Sequence, residues 1–346
     1  MIFTPVQCAA IKLMNSDLRY LYTVMKRINP DVSNYIPSVL PYMGVIVDGI
    51  EDWMQAFNNS SKTKLEVPFF DENEKEYYEK IRDSIKIWEK EYSEIYTSIE
   101  RAYKISDDYF SSKCRPISKK LKLYDTFGID TINGAVCGNT ILCYHYNPLF
   151  SYDGNNGEYI KNMAIIAGKY IVLYSATSEY QINPSFKFDF CDYGGVVKSP
   201  VGSKFSDKFV LFSMLGQINF ILYCLDGWIE EEIPTKLRFA YLLYFSLLHI
   251  IPQINSKLNI ELQLDEQWKS REFRNAMAHY KLGVSLREDE LILDDLLCGL
   301  TQKYFGRDYM YIKGVIINEL KKLAIQIGKY LKLKDRMIYG ENVIRN

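Results

Sequence analysis

The sequence predicts a mainly α-helical protein with a helical bundle in its C-terminal part, a helical N-terminal region and a small mixed α/β segment between them. Three observations carry that expectation. Long stretches on either side of the middle repeat apolar residues at helical spacing. Near residues 126–203 glycines become frequent and β-branched or aromatic runs appear. In the C-terminal half, Pro, Asp and Gly stand where helices start and stop. A chain of 346 residues has room for about two domains of roughly 100–200 residues each. Its 48% hydrophobic and 25% charged residues are those of a soluble globular protein. The expected divisions are 1–125 (helical), 126–203 (mixed, with some strands), 204–336 (a bundle of four or five helices) and 337–346 (a tail).

Residues 6–28 and 33–57 are apolar-rich and are divided by Asn29-Pro30-Asp31, a turn signal with Asp31 or Ser33 as the helix cap. From residue 71 to about 104 there is no Gly or Pro, and Tyr77, Tyr78, Ile81, Ile85, Ile87, Trp88, Tyr92, Ile95 and Ile99 predict one long amphipathic helix lying along a neighbour. In the mixed segment, residues 153–157 and 192–195 read as turns and residues 170–174 as a strand-like run.

The helical pattern returns at 204. Residues 206–228 form the first bundle helix, and Pro234 opens a second that ends before Pro252. Asp265 caps a third, which Gly283 terminates. Asp308 opens a fourth, running to about Lys334.

A formal net charge of −1 excludes indiscriminate polyanion binding through the whole-molecule field, so any nucleic-acid site is local. Two basic stretches stand out: Lys113, Arg115, Lys119, Lys120 and Lys122, and Lys321, Lys322, Lys329, Lys332, Lys334 and Arg336. The ordinary reading of each is a solvated face. Seven cysteines without CxxC spacing fit a reducing cytoplasm better than a disulfide framework. The first twenty residues lack the basic leader and apolar core of a signal peptide. Residues 209–229 and 237–254 are apolar enough to suggest a transmembrane hairpin, but Gln217, Asn219, Asp226, Arg238, His249 and Pro252 interrupt them, and buried bundle helices explain both.

On the third bundle helix, Phe273, Ala276, Met277 and Tyr280 follow the i, i+3, i+4, i+7 rule and define the buried stripe. At about 100° per residue, His279 lies roughly 120° from Phe273 and Asn275 about 40° from His279, so both point away from the core. Arg271 lies near the same outer face, and Arg274 at the margin of the stripe. An exposed histidine with no task stands against a functional one. Imidazole moves protons near neutral pH, and a guanidinium clamps phosphate with two parallel hydrogen bonds. Asn275, one turn before His279, is placed to orient the ring or contact phosphate.

Arg274-Asn275-Ala276-Met277-Ala278-His279 resembles the Arg, polar residue, then His pattern of HEPN domains, which are bundles of four or five helices. The likeness covers about residues 204–336. It implies a metal-independent endoribonuclease without cofactor, acting in phage defence or as a toxin, with Arg274, His279 and Asn275 catalytic and Arg271, Tyr280 and Lys281 contacting RNA. Of the other histidines, His249 lies in the apolar second helix, where a core role is expected, so one chain supplies too few proton-transfer groups. A homodimer across the third helix is therefore expected, with RNA as substrate, an antitoxin or defence-system protein as an open further partner, and no membrane.

Other signals are weaker. Cys137, Cys143 and His145 lack a fourth metal ligand at usual spacing, no metal is expected, and a turn with a structural cysteine explains Cys137 better than a thiol nucleophile. Residues 195–204 have Lys after Ser, the wrong order for a phosphate loop. The competing functional class is a non-catalytic binding or scaffold module.

Overall fold

The computed structural model describes residues 3–27, 35–59, 62, 64–146, 157–195, 197–202, 204–279 and 286–340. The Asn29-Pro30-Asp31 turn, residues 153–156, Tyr280, Lys281 and Gly283 lie outside them. The helices of the N-terminal region are α1 (Pro5–Arg27), α2 (Tyr35–Asn59), α3 (Glu72–Asp83), α4 (Tyr92–Ser112) and α5 (Pro116–Lys120). Strands β1 (Asp125–Ile132) and β2 (Ala135–Asn139) follow, then α6 (Thr140–Tyr146), α7 (Gly157–Leu173) and β3 (Phe188–Gly194). The rest is α8 (Asp207–Asn219), α9 (Pro234–Leu258), α10 (Arg271–His279), α11 (Leu300–Phe305), α12 (Tyr309–Tyr330) and α13 (Asp335–Tyr339). The protein is thus mainly α with a small sheet, as its sequence predicts.

The expected single helix over 71–104 is two. Asp71 caps α3 with its side chain on the Glu74 N–H, while Glu74 reaches back to the Asp71 N–H. At the far end the Ser84 hydroxyl donates to the Ile81 carbonyl (2.6 Å), and the chain tightens into a 3-10 turn, Ser84–Glu89, before Lys90 becomes extended (ψ 166°). Apolar periodicity runs through this break because Ile87 and Trp88 remain buried on the turn.

The sheet is antiparallel in the order β2-β1-β3. Asn133 (φ 49°) and Gly134 (φ 92°) make the two-residue β1–β2 turn, with Ile132 opposite Ala135. Residues 170–174, expected as a strand, instead carry the end of α7 and the turn after it, with Tyr170 and Ile171 buried. Residues 192–194, expected as a turn, belong to β3.

Helix α8 is buried on every side from Phe209 to Asn219, then widens into a π turn, Phe220–Leu225. It lies against β2 closely enough that a Cβ on Gly216 would sit 3.4 Å from the Gly138 nitrogen. Most of its polar groups are used in hydrogen bonds: Asn219 Nδ2 donates to the Val136 carbonyl (2.8 Å), Asn139 Nδ2 to Ser213 Oγ (3.1 Å), and Trp88 Nε1 to Gln217 Oε1, while Asn219 Oδ1 is buried with no hydrogen-bond partner among the described residues. Residues 207–225 and 234–258 are long and apolar enough to cross a membrane, but 89% and 78% of those windows are buried inside the protein.

Helix α9 does not stop before Pro252; it continues through it and ends at Asn259 in the left-handed conformation (φ 52°). Nor does Asp265 cap the next helix. Its carboxylate accepts from Gln267 N–H (2.9 Å), and α10 starts six residues later, where Ser270 Oγ accepts from Phe273 N–H (3.1 Å). Asp308 does cap α12, through Tyr311 N–H (2.8 Å). Helices α8, α9, α10 and α12 pack together, and α1, α2 and the 84–89 turn also contact α9 or α10. One hydrophobic core runs from Ala9 to Leu331. Beyond 336, expected as a tail, α13 buries Ile338 against Gly328.

Candidate active site on helix α10

Helix α10 has nine described residues, and a stretch of that length does not persist alone, so its neighbours place it. Phe273, Ala276 and Met277 are buried as expected, with the Phe273 ring edge-on to Tyr241 (4.6 Å between centroids). The Tyr241 hydroxyl donates to the Trp268 carbonyl (2.8 Å) and accepts from Ser270 N–H (2.8 Å), fixing the entry to the helix. Arg238, wholly buried, holds the exit: Nε donates to the Met277 carbonyl (2.6 Å) and Nη2 to the Val45 carbonyl (3.1 Å). Its counter-charge is Asp17, 3.8 Å away and also buried. Burial pushes the Asp17 carboxyl up to about 6 although Arg238 opposes it. Burial likewise brings the Arg238 guanidinium down to about 9.

The outer side of α10 carries the expected polar groups. Arg271 and Asn275 are exposed and His279 is half-buried. Arg274 reaches round the margin of the helix to Glu89 on the 3-10 turn, in a two-pronged ion pair at 2.6 and 2.7 Å. Arg274 and Glu89 keep 14% and 28% of their side chains exposed, so the pair sits at an edge. Ser246 Oγ on α9 also approaches Glu89 (3.3 Å), and Arg274 Nη1 donates to Asn275 Oδ1 (3.3 Å). Arg274 Nε is buried with no hydrogen-bond partner among the described residues. The structure thus brings Arg274 and Asn275 into contact and puts His279 on the same short helix.

Glu89, Ser246 and Arg238 are the residues that sequence reading missed. No pattern marks Glu89 or Ser246. Arg238 left a trace, as a cation inside an apolar helix, which demands a partner wherever it is buried.

His249 does not have the expected core role. Its side chain is 46% exposed, with Nε2 3.8 Å from the Glu91 carboxylate and 3.3 Å from Gln253 Nε2. Its position in α9 is apolar in sequence, but the side chain faces out beside Glu91, where α4 begins. A groove of about 1020 Å³ opens beside it, lined by Tyr92, Tyr96, Asp207, Gln253 and Lys257. His145 is the histidine that burial claims: Ser98 Oγ lies 3.2 Å from its Nδ1, and burial with help from Lys90 lowers its pKa to about 4. Cys137 and Cys143 are buried, and burial raises the Cys143 thiol. No group of three His, Cys, Asp or Glu able to hold a metal occurs among the described residues.

Set beside models of protein families, curated proteins and solved structures, the chain matches none of them.

Proposed function

We propose that α10 carries the active edge of a metal-independent endoribonuclease of HEPN type, working as a homodimer in the cytoplasm, in phage defence or as a toxin. The observation that supports this reading is the division of α10 itself: Phe273, Ala276 and Met277 are sealed, while Arg274, Asn275 and His279 occupy its outer margin. A scissile phosphate replaces the Glu89 carboxylate on the Arg274 guanidinium, one oxyanion for another with the same two-pronged geometry. One imidazole takes the proton of the ribose 2'-OH as its oxygen attacks phosphorus. As the P–O5' bond breaks, a second imidazole protonates the leaving oxygen, giving a 2',3'-cyclic phosphate and a 5'-OH. The second imidazole is His279 of a second copy, because His145 is buried and held neutral and His249 is engaged with Glu91 and Gln253.

The test is incubation of the purified dimer with total RNA in EDTA. Cleavage to cyclic-phosphate ends, lost in His279→Ala and Arg274→Ala while dimerisation persists, is the expected result. No cleavage by the dimer, or cleavage untouched by His279→Ala, overturns the reading. The Arg274–Glu89 pair specifically favours a second reading, a non-catalytic binding or scaffold module in which Arg274 is a structural clasp between the N-terminal region and α10. On that reading Arg274→Ala lowers stability and His279→Ala changes nothing. A strict monomer in solution also favours it.

A further inference from the structure

The basic stretch after α4 plays no part in the α10 site, and its structure is not that of a plain solvated face. Residues 113–123 hold five cations and no carboxylate in a chain of net charge −1. Asp108 and Asp125 flank the stretch. Lys113, Arg115, Lys119, Lys120 and Lys122 are all exposed. Between them stand aliphatic side chains facing out: Ile117 is 73% exposed, Leu121 61% and Leu123 48%. Ile117 and Leu121 share one side of α5, because Leu121 N–H bonds the Ile117 carbonyl one turn back (2.9 Å). The turn after α5 is rigid: Leu123 N–H bonds the Ser118 carbonyl (2.8 Å) and Lys122 N–H the Lys119 carbonyl (3.1 Å). Lys122 takes the left-handed position of that motif (φ 51°), where glycine is usual. Gly195 lies against the Lys122 carbonyl and carries Val197, 45% exposed, and exposed Lys198 to the same edge. Arg115, Lys119, Lys120, Lys122 and Lys198 have no ion-pair partner among the described residues.

We infer that this edge is a docking surface for an anionic lipid bilayer. Aliphatic side chains framed by unpaired cations match a membrane interface, where Ile and Leu enter the acyl boundary and Lys and Arg meet phosphate headgroups. Single-stranded nucleic acid stacks its bases chiefly on aromatic planes, whereas the side chains that face out between these cations are aliphatic. The contact is peripheral, because α8 and α9, the apolar helices, are spent on the protein's own core. It is independent of any activity at α10.

Flotation of the full chain with phosphatidylcholine vesicles, with and without phosphatidylglycerol, tests it. The expected result is flotation with the anionic vesicles alone, weakening as salt rises. Ile117→Asp/Leu121→Asp and Lys119→Glu/Lys120→Glu each reduce binding by about tenfold or more, and Lys119→Arg/Lys120→Arg retains it. All these positions are exposed, so the variants fold, as a circular dichroism melt verifies. The proposal is overturned if anionic vesicles do not float the protein, if both acidic variants float like the parent, or if the edge binds an RNA oligonucleotide and no vesicle.

Discussion

Two arginines grip the region of α10 and are spent differently. Arg238 is sealed in the core, bonded to two backbone carbonyls and set against a buried carboxylate. Arg274 is bonded to one carboxylate that retains contact with water. A solvated phosphate has no path to the first guanidinium, while at the second it has only to exchange with Glu89. The comparison teaches that the charge of an arginine says little about its role. What decides is whether its partner can be replaced.

Breaking the buried side gives the largest effect. Arg238→Ala leaves Asp17 buried without its counter-charge and the Met277 carbonyl without its donor. It should cost about 3–5 kcal/mol of stability in a urea titration. Arg274→Ala strips Glu89 of its partner at an edge, and a loss of about 1–3 kcal/mol is expected. If the two losses prove equal, the distinction between the arginines fails.

Acidity sharpens the same contrast. Asp17 has its folded pKa raised from 3.8 to about 6, so the stability it adds is complete below 3.8 and disappears as pH rises through about 6. His145 is shifted the other way, from 6.5 to about 4; its contribution is present above 6.5 and disappears as pH falls through about 4. Across this window the two nearly offset. Asp17→Asn should therefore unmask a protein that weakens as pH falls from 6.5 to 4, and His145→Asn one that strengthens. Denaturant midpoints measured at both ends of that range decide it; equal slopes in the two variants would be the wrong result.

Smaller effects follow at Glu89 and Lys122. Glu89→Gln keeps a hydrogen-bond acceptor but removes the competing charge, so under the proposed RNA-cleaving activity the KM for RNA should fall by about 3–10-fold with little change in kcat. An unchanged KM would count against exchange at Arg274. Lys122→Gly should stabilise the protein by about 1 kcal/mol, because glycine carries no penalty in the left-handed conformation. A calorimetric melt shows whether it does.

Much of the fold was legible because burial and periodicity coincide. The long helices, the Asp308 cap and the buried stripe of α10 are local patterns that tertiary structure respects. The Asn133-Gly134 turn carries a strong short hairpin signal, although other glycine clusters in the same segment are more conspicuous. Residues 170–174 misled because a buried run of β-branched and aromatic residues looks the same in a helix end as in a strand. The break after Asp83 was hidden by a hydrophobic pattern that continues across it, and with the break went Glu89, whose role depends on a contact 185 residues away in sequence. The wheel did place Asn275 outside the core and Arg274 at its margin, which is all that helical geometry can supply.

The shortness of α10 has a dynamic consequence. The nine described residues cannot by themselves hold their amide bonds closed against water, so the helix borrows its protection from Tyr241 and Arg238, both on α9. The amides of α10 should accordingly exchange with deuterium in step with those of α9, as members of one cooperative unit. A perturbation that loosens α9 anywhere along its length would then be felt at His279.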